Sequence, residues 1–228
     1  MRSTGSHGKT RALVASLLPA AVAILFAHDA PAHPIQPAPL GVDTPLTAAV
    51  RAPRRASWAE RLAPVEVTCL ATRDSASIRL YTDAGEVDEQ ARADFERVVS
   101  RDGVVHPLSE RLEQLVVRAA YHFGSDHVLV VSGWRRHAGR HTAGEALDFK
   151  LQGVRAATLA AYLRKLPRAG VGIYTNPRTQ YVHLDVREPS YHWLDASPPG
   201  VHWRERRLRD PDQVRRDASW TPENDLPI

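Results

Sequence analysis

Two rhythms of apolar and polar residues run through the middle of this chain, one of strand type and one of helix type. Val65 to Leu70 and the alternating run Ser77 to Thr82 have strand character, and Asp83, Ala84 and Gly85 behind them read as a turn. Helical spacing follows over Val87 to Val99, with Val87, Ala91, Phe95 and Val98 or Val99 on one face. A second helix is opened by Pro107, Leu108 and Ser109. Glu110 and Glu113 sit in its early turns, where carboxylates favour the helix dipole. Leu112, Leu115, Val116 and Ala119 form its apolar stripe, and Gly124 ends it. His127 to Ser132 is a short apolar run that predicts a buried strand, and Ala146 to Leu151 predicts another. Ala156 to Leu166 is a helix stopped by Pro167. Gly170 to Tyr174 and Gln180 to Val186 are strands joined by a turn at Thr175, Asn176 and Pro177. No internal repeat is visible. The order predicts one α+β domain over residues 65–194, with helices on one side of a mostly antiparallel sheet.

The flanks lack these rhythms. Lys9 and Arg11, the apolar run Ala12 to Ala27, and the small residues Ala30 and Ala32 predict an export signal over residues 1–32. At sixteen residues the run is short for a spanning helix, and a signal anchor left uncleaved is the alternative. Either way the rest of the chain is expected outside the cytoplasm, in the periplasm or cell envelope, touching membrane only through an uncleaved signal. Residues 33–64 are rich in Pro and Ala and predict an extended spacer. Residues 195–228 form a Pro- and Arg-rich tail, expected to lie across the domain or hang free.

Charge adds little. Loss of Arg2, Lys9, Arg11 and Asp29 with the signal takes the net charge from +4 to +2. Six arginines stand against three acids between Trp203 and Arg216, too weak a signature for nucleic acid. Cys69 is the single cysteine, so no intrachain disulfide forms, and its apolar run predicts a small buried hydrophobe.

Three fragments carry chemistry: Ser132-Gly-Trp-Arg135, then His141-Thr-Ala-Gly144-Glu-Ala146-Leu-Asp148, then Tyr181-Val-His183-Leu-Asp185-Val186. Zinc accepts imidazole nitrogen and carboxylate oxygen, and a catalytic site needs three such ligands with one place open for water. His141 and Asp148 lie seven residues apart, and a turn at Gly144 leading into a strand can bring them to one point. In the last fragment Val182, Leu184 and Val186 would face the core, while Tyr181, His183 and Asp185 share the other face. That pairing of His and Asp suits a metal ligand beside a base or an orienting carboxylate.

In this order the fragments resemble the D-alanyl-D-alanine metallopeptidases, a group that includes lysostaphin-like enzymes and the hedgehog signalling domain. Val171, Gly172 and Tyr174 followed by the V-H-L-D run at 182–185 resemble their murein endopeptidase-like branch. Trp134 stands where the family pattern has Tyr. The resemblance implies one zinc ion per chain on His141, Asp148 and His183, with Arg135 facing the substrate or a developing oxyanion. Tyr181 is a further expected substrate contact. Many members carry Glu or His just before the last His, where this chain has Gln180 and Tyr181, so Asp185 is the expected general base. The implied activity is hydrolysis of amide bonds in peptidoglycan stem peptides or cross-links, by an endopeptidase or a carboxypeptidase. A zinc-bearing module that binds the wall without cutting it is the alternative.

Overall fold

The structure, a computed structural model, describes residues 56–101, 103–198, 201 and 205–227. The expected export signal and the spacer up to residue 55 lie outside them. Among the described residues no helix is long and apolar enough to cross a membrane.

Strands β1 (Val65–Cys69) and β2 (Ser75–Ile78) precede helices α1 (Glu89–Val99) and α2 (Glu110–Phe123). Strands β3 (His127–Ser132) and β4 (Ala146–Leu151), helix α3 (Ala156–Leu163), and strands β5 (Ala169–Tyr174), β6 (Val182–Val186) and β7 (Tyr191–Asp195) follow. A short β8 (Glu205–Arg207) and α4 (Gln213–Ala218) complete the set. The eight strands form one sheet in the order β2-β1-β3-β4-β6-β5-β7-β8. Only β1–β3 and β5–β7 pair in parallel; the other neighbours are antiparallel, as expected.

Side chains of paired residues emerge on the same face of a sheet, so the register sorts them. Leu147 pairs with Leu184, Phe149 with Val182 and Val130 with Phe149, and all five are fully buried. They share one core with Phe95 and Val98 of α1, Leu112, Leu115 and Val116 of α2, and Leu159 and Leu163 of α3. Burial of each such side chain is worth about 1.5–3 kcal/mol. The helices therefore cover one face. The other face receives Asp148 opposite His183, and Ala146 opposite Asp185.

Several elements depart from the sequence reading. The expected strand Ser77 to Thr82 ends at Ile78, and Tyr81 makes only an isolated bridge to Val87; burial of Leu80 and Tyr81, not a ladder, explains their apolar pattern. Helix α1 begins two residues late because the Asp88 side chain accepts from Ala91 N–H at 2.9 Å and caps it. The described end of the expected spacer lies on the domain core. Ala59 is fully buried, and Ala56, Trp58 and Leu62 pack on the same core, with Trp58 edge-on to Tyr81. Within the described part of the expected tail, β8 extends the sheet and α4 lies against the domain through Asp217, which accepts from Ser190 and from Arg168 N–H.

Candidate metal centre and cleft

The three fragments meet on the uncovered face. A register shift in β3 between Val130 and Ser132 sets Ser132 opposite Asp148 and starts the loop that carries Arg135 and His141. Internal bonds hold this loop: Trp134 Nε1 donates to Thr142 O at 3.0 Å, and Thr142 Oγ1 donates to Arg135 O at 2.6 Å. Trp134 thus works as a brace. Gly144, at φ +71°, lies directly against the Pro107 carbonyl, where any Cβ would collide, and its own carbonyl accepts from Ser109 N–H at 2.9 Å. The loop is in this way tied to the start of α2.

Hydrogen bonds set the tautomers. His141 Nδ1 stands 2.8 Å from Gly133 O, which can only accept, so the hydrogen is on Nδ1 and Nε2 is free to ligate. His183 Nε2 stands 2.9 Å from Asp185 Oδ2 and donates to it, which frees Nδ1. That Nδ1 lies 3.2 Å from His141 Nε2 and 2.9 Å from Asp148 Oδ1. One ligand atom from each of His141, Asp148 and His183 falls within 4.8 Å of the others, and all three residues are buried.

Two imidazole nitrogens and a carboxylate directed at one point call for a cation, and this donor set fits zinc. Without metal, burial works against the His183 cation, but Asp148 and Asp185 outweigh it and raise its pKa. Burial likewise opposes the Asp148 anion, yet the two imidazoles hold its pKa well below the ordinary range. The Arg135 guanidinium donates to Asp148 Oδ2 and meets His141 Nε2.

Asp185, the expected general base, stands behind His183. It is fully buried and sits on the His183 nitrogen that points away from the ligand cluster. Arg187 binds both of its oxygens, and Arg140 Nε lies 3.6 Å away. His183 and Arg187 overcome burial and keep its pKa low. Gly170 lies beneath this carboxylate, which leaves no room for a side chain.

A cleft of about 380 Å³ opens over the ligands, lined by Arg135, His141, His183, Tyr174, Trp193 and Glu205 among others. Tyr174, not Tyr181, stands in its wall; Tyr181 stacks against Tyr174 with centroids 4.3 Å apart. Burial, reinforced by the Asp148 charge, pushes the Tyr174 phenol well above its ordinary pKa, so it remains a donor. Trp193 lies across Gly172 and 5.0 Å from the His183 ring. Sequence reasoning gave no role to Tyr174, Arg187, Trp193 or Glu205. Strand alternation continued from Asp185 could have found Arg187, but nothing local marks Trp193 or Glu205.

Residues 137–193 match the family model described as peptidoglycan L,D-endopeptidase MepK. Curated proteins of that name from Escherichia coli strain K12 and from Shigella flexneri are each 36% identical over 53 residues. The match takes in 23% of this chain, and the chain spans 28% of the length of those relatives. No solved structure matches. The matched segment holds His141, Asp148, His183, Asp185 and Trp193, but neither Arg135 nor Glu205. The likeness to the D-alanyl-D-alanine metallopeptidases, in their murein endopeptidase-like branch, is therefore a property of residues 137–193.

Proposed function

We propose that this chain is an exported, zinc-dependent endopeptidase of peptidoglycan that hydrolyses an amide bond joining an L-centre to a D-centre in a wall peptide. The observation that carries this reading is the convergence of His141, Asp148 and His183 at an open cleft. Export is required because the substrate lies outside the cytoplasm, and it accords with the charged and apolar start of the chain. The segment similar to the MepK proteins holds all three ligands.

A zinc ion on this set would lower the pKa of a bound water to about 7 and polarise the scissile carbonyl. The protein's own contribution is positional. Gly133 O and Asp185 fix the two imidazole tautomers and ring planes, so both ligating lone pairs are in place before metal arrives. Asp185 is assigned to this orienting work, since both its oxygens are held by Arg187. Arg135, whose side chain is 40% exposed, presents donors at the ligand cluster and would bind the carbonyl oxygen as charge develops on it. Tyr174 and Trp193 supply an apolar wall that limits water.

Purified peptidoglycan incubated with the protein, with and without a chelator, tests the reading when products are identified by mass. Cross-linked fragments should be cut, cutting should stop with chelator and return with zinc, and His183→Ala should lose both zinc and activity. Zinc-loaded protein that binds the wall and leaves every bond intact would establish the non-cutting module instead.

A further inference from the structure

Beyond the ligands the cleft crosses the sheet from strand to strand. Paired positions on the open face form a row from Asp148 and His183 through Gly172 and Trp193 to Arg207. A second row, two residues along, holds Tyr174, Asp195 and Glu205. Three strand spacings separate β6 from β8, about 14 Å, which is the length of about four residues of extended peptide.

Charge is divided along this path. At the metal end stand Arg135, Arg140 and Arg187. Glu205, exposed at the far end, is the acid that the cleft lining adds to these cations, and among the described residues its carboxylate has no hydrogen-bond or ion-pair partner. Asp195 in the same row is buried and accepts from Ser197 N–H at 2.7 Å. Arg207 is turned to the Tyr191 ring, 5.3 Å from its centroid, and does not neutralise Glu205. The strand itself is held firmly. Leu208 N–H donates to His192 O at 2.8 Å, and Asp210 pairs with Arg216 and lies 3.2 Å from His192.

We infer that Glu205 on β8 is a specificity residue that receives a substrate ammonium group, that of a diamino-acid side chain several residues from the bond being cut. The inference rests on the reading of this cleft as a peptide-hydrolysing site. It reaches beyond the matched segment, which ends at residue 193. At three strand spacings from β6, Glu205 is too distant to serve as the base. Its work is recognition through a charge-assisted hydrogen bond.

The test uses the full zinc-loaded chain and soluble cross-linked wall fragments with free diamino-acid amines, alongside the same fragments after N-acetylation. Wild type should lose about 10-fold in kcat/KM on acetylation, the scale of one hydrogen bond to a charged group. Glu205→Gln should show a similar loss on the free-amine substrate and no further loss on the acetylated one, with kcat and zinc content unchanged. Glu205→Asp should keep part of the preference. Calorimetric titration of both fragments should give the same ranking in affinity. A Glu205→Gln protein that retains the wild-type preference in rate and affinity overturns the inference. If zinc-loaded wild type cuts neither fragment, the hydrolytic reading fails, and the titration still decides the role of Glu205.

Discussion

His183 is useful only because its two nitrogens meet different partners. Asp185 takes the hydrogen of Nε2, and Nδ1 is thereby left to point at Asp148 and His141. The sequence put Asp185 and His183 on one strand face, which is correct, but one face is compatible both with a base and with an orienting carboxylate. Arg187 holds both oxygens, which supports the orienting role proposed for Asp185. Asp185→Asn is accordingly expected to weaken zinc affinity by about 10–100-fold, with activity largely restored by excess zinc. A zinc titration followed by turnover checks this. A loss of about 10²–10⁴ in rate that no zinc concentration repairs would return Asp185 to the role of base.

At the scale of elements, β5 makes the cleft floor by what it lacks. Two of its three open-face positions are Gly170 and Gly172, and a Cβ at Gly170 would strike Asp185 and Arg187, at Gly172 the ring of Trp193. The V-G-x-Y run was legible as a motif, yet the reason for its Gly172 is the close approach of Trp193 from β7. Gly172→Ala must displace Trp193, and overpacking of this kind costs about 1–3 kcal/mol. Urea unfolding of the zinc-free protein should show a lowered midpoint, while the zinc-loaded variant keeps its metal because the ligands stand on β4, β6 and the loop before β4. An unchanged midpoint would mean that Trp193 is not held against this strand.

At the scale of the whole domain, the C-terminal segment forms a clasp. Arg111 of α2 bonds Asp225 at 2.6 Å and the carbonyls of Pro167 and Arg168 at 2.7 Å each. Trp220 lies under Arg111 and Arg168, and its Nε1 donates to Asp225 at 2.8 Å. Asp225 is 1% exposed, so removal of Arg111 leaves a buried carboxylate without its main partner. Arg111→Ala is expected to cost about 3 kcal/mol in unfolding free energy, measured by denaturant titration. Zinc binding should survive, since no ligand belongs to this clasp. A change below 0.5 kcal/mol, the scale of an ordinary surface substitution, would mean that the clasp adds no stability.

Local pattern determined the core strands and helices, because a face that must be buried repeats with the period of its element, as Val182, Leu184 and Leu112, Leu115, Val116 do. The resemblance of three ordered fragments to the metallopeptidases, and not local pattern, brought forward His141, Asp148 and His183. Strand β7, the clasp and the cleft wall were not legible. Their residues are ordinary in sequence, and Tyr191, Trp193, Glu205 and Trp220 acquire roles only through partners far away in the chain. Only the folded sheet decided which oxygen faces which nitrogen around His183, since hydrogen-bond partners within about 3 Å are set by register and not by composition.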